Sequence, residues 1–392
     1  MTVDMTALRA QRLARLRATM TAHGLEALVV FEYANGRYAA DLRPLYAPNF
    51  LVRQAVVVTT TADDVICFVH QDDTPHRRQV MTWLDPANVR EFPTGVMLEG
   101  GGAAALAPIG DALRQLGHTG GPVGTDIGTP NSLANLTDLI GSPVVDANAA
   151  LHQARSVKFP VEIELLRRAS AVVDEALRVA VDAVRPGILE CEILAEVMRV
   201  FYRHGAEVPQ CNLIVCTGQN TAPMQRFAGR TPVAEGDIVF MDVGACFDGM
   251  FSEATRTVAC GEPNPRQRAV YRAVHDLHEA MIGDLAPGRT AAEMQATAGR
   301  LLDAGPYRQY LQKMIVAHGI GVGYAEPPFV APPGRPTPDL EFQPGTVLAV
   351  VPTIIVPGVP GGAGVRLEDV VTVTATGVER LTTHPYDAAL LA

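Results

Sequence analysis

Asp242 and Glu253 stand eleven positions apart, on either side of Asp248-Gly249. Apolar runs flank that pair, and Asp-Gly between such runs favours a tight hairpin turn. The spacing centres the turn between residues 247 and 248 and sets the two carboxylates opposite each other across the ladder. Like charges directly opposed in a sheet are destabilising, so such a pair calls for a metal ion, an arginine or a shared proton. The competing reading leaves one of the two acids on a solvated sheet edge. His318 sits in Ala317-His-Gly-Ile-Gly-Val-Gly323, where three glycines let backbone approach closely and hold the imidazole beside a cleft. A lone histidine in such a loop is also commonly a hydrogen-bonded structural residue. Glu368, in Val365-Arg-Leu-Glu-Asp369, leads into an apolar strand and alone reads as a solvated strand end. Together, three carboxylates and an imidazole make the oxygen and nitrogen donor set that hard or borderline divalent cations prefer.

The elements that must position these groups follow from periodicity. Residues 6–23 carry Leu8, Leu13, Leu16 and Met20 near helical spacing, with arginines interleaved, and stop at Gly24; this predicts an amphipathic surface helix. Strands are expected at 25–31, 55–59 and 65–69, alternating with helices at 105–116 and 132–140. Such alternation argues a smaller α/β domain over residues 1–155. Pro160 then opens a helix over 161–184 closed by Arg185-Pro186-Gly187, and a second helix runs over 189–204 before Gly205. Residues 211–216, 237–245 and 250–258 are β-rich, whereas 266–285 and 291–304 are helical. Long helices on a curved antiparallel sheet give an α+β domain over residues 156–392. The proline- and glycine-rich stretch 327–344 reads as a loop and as a lid.

Composition narrows the function classes. At 392 residues the chain exceeds one small core, and two or three domains are expected. Hydrophobic residues at 48% against 19% charged exclude an intrinsically disordered chain. The net charge of −10 repels phosphate backbones and anionic headgroups, which argues against nucleic-acid and membrane partners. The single tryptophan, Trp83, supplies no stacking platform for single strands. No run approaches the ~20 apolar residues of a spanning helix, and the first twenty residues lack a signal-type apolar core. The expected location is cytoplasmic. The six cysteines show no paired spacing and read as reduced thiols.

The order of motifs is DxG at Asp242, an acid at Glu253, HGIG at His318 and RxED at Glu368. With these, the second domain resembles the pita-bread fold of the creatinase, aminopeptidase P and methionine aminopeptidase family. The lead-in Ser156-Val-Lys-Phe-Pro-Val-Glu-Ile-Glu164 resembles the segment that opens that domain behind a creatinase-type N-terminal α/β domain. In the metallopeptidase members, two acids on the hairpin, one histidine and two later glutamates bind two metal ions. Asp242, Glu253 (usually Asp in the family), His318 and Glu368 match that set, whereas the remaining glutamate position is Val351. Two histidine positions of the peptidases are Gln225 and Ala325 here, and neither Gln nor Ala titrates near neutral pH. The resemblance further implies substrate contacts at Gln225, Tyr324, Glu326, Val351 and Arg366. In creatinase, an arginine of the N-terminal domain reaches the neighbouring subunit's site and grips the substrate carboxylate. Arg53 falls at that position, and a guanidinium suits a carboxylate.

These implications give a creatinase-like hydrolase acting on a C–N bond of a small carboxylate-bearing substrate, not a standard two-metal Xaa-Pro peptidase. Asp242, Glu253, His318 and Glu368 are its catalytic set, holding a single divalent ion (Mn, Fe, Co or Zn) or none. A homodimer is expected, since Arg53 otherwise has no site to serve. Two alternatives stand beside it: a lyase, isomerase or decarboxylase on the same fold, and a non-catalytic peptide-binding pseudoenzyme.

Overall fold

The structure, a computed structural model, describes residues 3–43, 54–92, 106–127, 130–210, 213–338 and 340–392. The chain divides into two compact units, Met1–Arg155 and Ser156–Ala392. The first opens with helix α1 (Met5–Ala22), whose N-terminal amides at Thr6 and Ala7 donate to the Asp4 carboxylate; this cap satisfies donors that the first turn leaves unpaired. The helix buries Leu8, Leu16 and Met20, as its spacing predicts. A six-stranded sheet follows: β1 (Ala27–Val30), β2 (Ala55–Thr59), β3 (Ile66–Val69), β4 (Val89–Glu91), β5 (Val123–Thr125) and β6 (Val144–Asp146), in the order β4-β3-β2-β1-β5-β6. β1 pairs antiparallel with β2 and parallel with β5, so the α/β unit is mixed. Val29, Val57 and Phe68 of the sheet pack with Ile109 and Leu113 in its core.

In the second unit Pro160 begins helix α2 (Pro160–Ala183), and the Glu162 side chain accepts from the Phe159 amide at 2.8 Å. Proline suits this first turn, where its missing N–H costs nothing. Helix α3 (Glu190–Arg203) follows. Strands β9 (Ile238–Phe247) and β10 (Met250–Ala259) form a ten-pair antiparallel ladder. β7 (Val208–Pro209) and β8 (Ile214–Thr217) pair with the other edge of β9. α2 lays Ala169, Val173 and Leu177 against Val243 and Ala254 of that ladder.

A five-stranded antiparallel sheet runs β12-β11-β13-β16-β17, built from β11 (Ala317–Gly319), β12 (Glu326–Val330), β13 (Val347–Val350), β16 (Asp369–Val373) and β17 (Val378–Arg380). Helices α4 (Pro265–Gly283) and α5 (Ala291–Asp303) cover it with Tyr271, Val274, Leu277 and Met294 against Val316, Leu348 and Val371. β14 (Thr353–Ile355) and β15 (Gly364–Arg366) form a separate ribbon. The stretch expected as a loop from residue 327 differs: β12 carries it in the ladder as far as Val330, which is fully buried. Prolines are tolerated there because β12 is an edge strand. Among the described residues no helix is long and apolar enough to cross a membrane.

Candidate functional site

Asp248 and Gly249 join β9 to β10 with φ of +48° and +78°, the two positive values that a type I′ turn requires. The turn is therefore centred between these two residues, one position beyond the centre that the acid spacing suggested. Asp242 pairs with Thr255, and Glu253 pairs with Gly244. The two acids expected to face each other are instead diagonal neighbours on one face of the ladder. A Cβ on Gly244 would stand 2.0 Å from Gln210 Oε1 and 2.7 Å from Glu253 Cβ. Only glycine leaves room there for both side chains.

His318, on β11, approaches this face. Its Nδ1 lies 3.0 Å from the Gly319 carbonyl; a carbonyl only accepts, so Nδ1 carries the proton and Nε2 presents a lone pair. That Nε2 is 3.2 Å from Glu253 Oε1 and 3.9 Å from Glu368 Oε1. Glu368 is placed by an isolated bridge to Thr255 of β10, and the Thr255 hydroxyl donates to Glu368 Oε2 at 2.6 Å. One donor atom from each of Glu253, His318 and Glu368 lies within 4.8 Å of the other two, and all three residues are buried.

Asp242 does not complete this group as expected. Its Oδ2 accepts from Arg366 Nη1, and the guanidinium is fixed further by Nε donating to Thr353 Oγ1 and Nη2 to Gln312 Oε1, both at 2.8 Å. Arg366, read as a substrate contact, thus spends its donors within the protein. Val351 is buried at 4% exposure and adds no donor. Glu326, also read as a substrate contact, is 2% exposed and accepts from Lys158 Nζ at 2.7 Å. Tyr324 is 43% exposed and meets Phe251 edge to face at 6.3 Å. Gln225 is exposed and, among the described residues, makes no hydrogen bond to the cluster. Arg53 lies outside the described residues.

Burial dominates the electrostatics. It lifts the Glu253 carboxyl well above its ordinary range, and the neighbouring Glu368 and Asp242 charges push it further. Glu368 is pushed up to about 8 by burial and then by Asp242. Asp242 is raised by burial despite the Arg366 guanidinium. Burial takes His318 down to about 4, so its ring is neutral at pH 7. Among the described residues Glu253 Oε1 is buried without a hydrogen-bond partner and faces an imidazole lone pair, so acceptor meets acceptor. That conflict is relieved by a proton or by a cation. Two carboxylates and a neutral imidazole whose other nitrogen is anchored to a carbonyl fit one divalent cation by donor chemistry.

Several positioning residues had no motif to announce them. Thr255 is readable in principle, lying two residues beyond Glu253 on the same strand face. Gln210 and Gln312 come from segments whose approach to the site only the tertiary fold decides.

Residues 164–375 match the metallopeptidase family M24 model, and residues 12–157 match the creatinase/prolidase N-terminal domain. The chain is 32% identical over 251 residues to the putative dipeptidase YkvY of Bacillus subtilis, covering 64% of this chain and 67% of that one. It is 30% identical over 228 residues to the Xaa-Pro dipeptidase of Pyrococcus furiosus, covering 58% and 63%. The dipeptidase PepE of Mycobacterium ulcerans superposes with a TM-score of 0.78 at 25% identity, over 98% of each chain. With more than half of its length inside the family model and the two-domain creatinase and aminopeptidase P architecture throughout, the chain belongs to metallopeptidase family M24, a family of hydrolases.

Proposed function

We propose that this chain is a single-metal hydrolase that cleaves a C–N bond in a small carboxylate-bearing substrate, in place of a two-metal Xaa-Pro peptidase. The division of the acids carries the reading: Glu253, His318 and Glu368 converge on one point, whereas Asp242 is taken by the Arg366 guanidinium and Val351 offers no carboxylate. The relatives named as dipeptidases support a C–N bond in a small molecule as the target. Glu253, His318 and Glu368 would hold the ion, which when bound supplies Lewis acidity toward a carbonyl and makes water more acidic.

The chain's own residues contribute orientation and charge. The Gly319 carbonyl fixes the His318 tautomer, and Thr255 holds Glu368 Oε2 so that Oε1 faces the cluster. Arg366 sets its guanidinium against Asp242 and is held there by Thr353, whose hydroxyl donates to the Val351 carbonyl. Burial of the whole group excludes bulk water and strengthens each of these interactions.

Elemental analysis of protein purified without chelator is expected to give about one equivalent of Mn, Fe, Co or Zn per chain, and to give none for His318→Ala. Two fully bound equivalents overturn the single-metal reading. Turnover in heavy-oxygen water is expected to place the label in one product; unlabelled product would overturn hydrolysis and favour elimination or isomerisation.

A further inference from the structure

Gln210 follows β7 and extends its pairing with β9: its amide donates to the Gly244 carbonyl at 2.9 Å, one step on from the pairs Val208 with Cys246 and Pro209 with Ala245. Gly244 is paired on its other side with Glu253. Gln210 and Glu253 therefore flank one glycine in a single row of the sheet. The place that a side chain on Gly244 would fill is taken jointly by Gln210 Oε1 and Glu253 Cβ, so the amide oxygen lies over the face that carries the acids. Gln210 is only 6% exposed.

The amide has a fixed sense. The Gln210 side chain hydrogen-bonds Asp242; a carboxylate accepts and an amide nitrogen donates, so Nε2 faces Asp242 and Oε1 is turned away from it. Asp242 is itself held by Arg366, which keeps it an acceptor for that nitrogen. Among the described residues Gln210 Oε1 is buried with no hydrogen-bond partner, and Glu253 Oε1 shares that condition. His318 Nε2 adds a lone pair 3.2 Å from Glu253 Oε1. Three buried acceptors around one glutamate thus lack a donor, which costs free energy until something positive meets them. A proton on Glu253 serves one neighbour, whereas a divalent cation takes several oxygen and nitrogen donors at once.

We infer that Gln210 is a further ligand of the cation proposed above, adding its amide oxygen Oε1 to the donors of Glu253, His318 and Glu368. The inference rests on the single-metal reading and deepens it, because the donor set becomes three oxygens and one nitrogen. A neutral carbonyl oxygen suits Mn(II) better than Zn(II), so Gln210 biases the choice of metal toward manganese. Asp242 and Arg366, outside the ligand set, act on the ion through the amide that they orient.

The test uses the full chain, stripped of metal and titrated with MnCl2 or ZnCl2 in competition with a chelating dye. Gln210→Leu removes the oxygen at similar volume and is expected to weaken Mn(II) binding by about tenfold or more and Zn(II) binding by less, so that the ratio of the two affinities shifts toward zinc. Gln210→Glu returns an oxygen and is expected to recover Mn(II) affinity. The glutamate also loses the donor to Asp242, so a residue that merely braced Asp242 would not be rescued by it. Wild-type Mn(II) affinity in Gln210→Leu overturns the assignment, as does a loss that Gln210→Glu fails to recover in protein whose far-UV circular dichroism matches wild type. Wild-type stoichiometry separates the two readings: one equivalent bound, with unchanged affinity in Gln210→Leu, fails Gln210 alone, whereas wild type that binds neither metal fails both.

Discussion

The Thr255 hydroxyl donates to Glu368 Oε2 at 2.6 Å from a fully buried position, so the strand face that carries Glu253 also orients the acid from the opposite sheet. Thr255→Val keeps the shape and removes the donor. Loss of such an outer contact is expected to weaken metal binding by about 10- to 100-fold, read by competition with a chelator, while Thr255→Ser restores most of it; wild-type affinity in the valine variant would remove Thr255 from the account. A second outcome follows from burial of the acids. Glu368 titrates at about 8 in the cation-free fold and near 4.5 when unfolded, so its contribution to stability is present below pH 4.5 and is lost as pH rises toward 8. Metal-free Glu368→Gln is therefore expected to exceed metal-free wild type in urea unfolding at pH 8, by about 1–3 kcal/mol, and to match it near pH 4. At this scale the sequence reveals residue types and order: Glu253, His318 and Glu368 stand out by motif. The pairing of Asp242 with Arg366 does not, because it depends on where β15 passes β9 and not on any spacing along the chain.

Elements decide where those residues end up. The helix expected over 161–184 is Pro160–Ala183, and the one over 189–204 is Glu190–Arg203, since proline entry and glycine exit are written locally. The hairpin was legible in kind, through Asp248-Gly249, but its register was not. Centring the turn one residue early makes Asp242 and Glu253 direct partners, whereas the observed pairing gives Glu253 a glycine opposite. The edge strand β12 was hidden for a different reason: Pro327 and Pro328 argue against a strand unless the edge position is known. The turn itself is testable. Gly249 sits at φ +78°, a region where a Cβ costs about 1 kcal/mol. Gly249→Ala is expected to lower unfolding stability by about that amount, whereas Asp248→Gly, at φ +48°, leaves it nearly unchanged or raises it slightly. Chemical denaturation of the two variants decides whether the backbone of this turn sets the register that the site depends on.

Across the second unit, one polar network ties the hairpin, the second sheet and the C-terminal segment together. Asp369 of β16 accepts from Arg256 of β10 at 2.7 Å, from Arg380 of β17 at 3.0 Å and from Thr382 at 2.9 Å. His278 of α4 enters from the helical layer, its Nδ1 3.0 Å from Tyr386 Oη, and Glu279 takes the other side of Arg380 at 2.6 Å. Burial first, and then the Arg256 and Arg380 charges, hold the His278 ring well below the ordinary histidine range. The folded protein therefore refuses a proton that the unfolded chain binds near pH 6.5. The stability contribution of the neutral ring is complete above that pH and is lost as pH falls below it, at up to about 1.4 kcal/mol per pH unit. Glu279, whose carboxyl is lowered, loses its share only below pH 4.5, outside the window in which His278 acts. His384, also lowered by burial, and His318 in cation-free protein slope the same way, so the measurement is a difference made on metal-loaded protein. His278→Gln is expected to flatten the fall in urea-unfolding stability between pH 6.5 and 5 relative to wild type. An equal slope in both proteins would take His278 out of the acid sensitivity and leave its place in the Asp369 network without a role in titration.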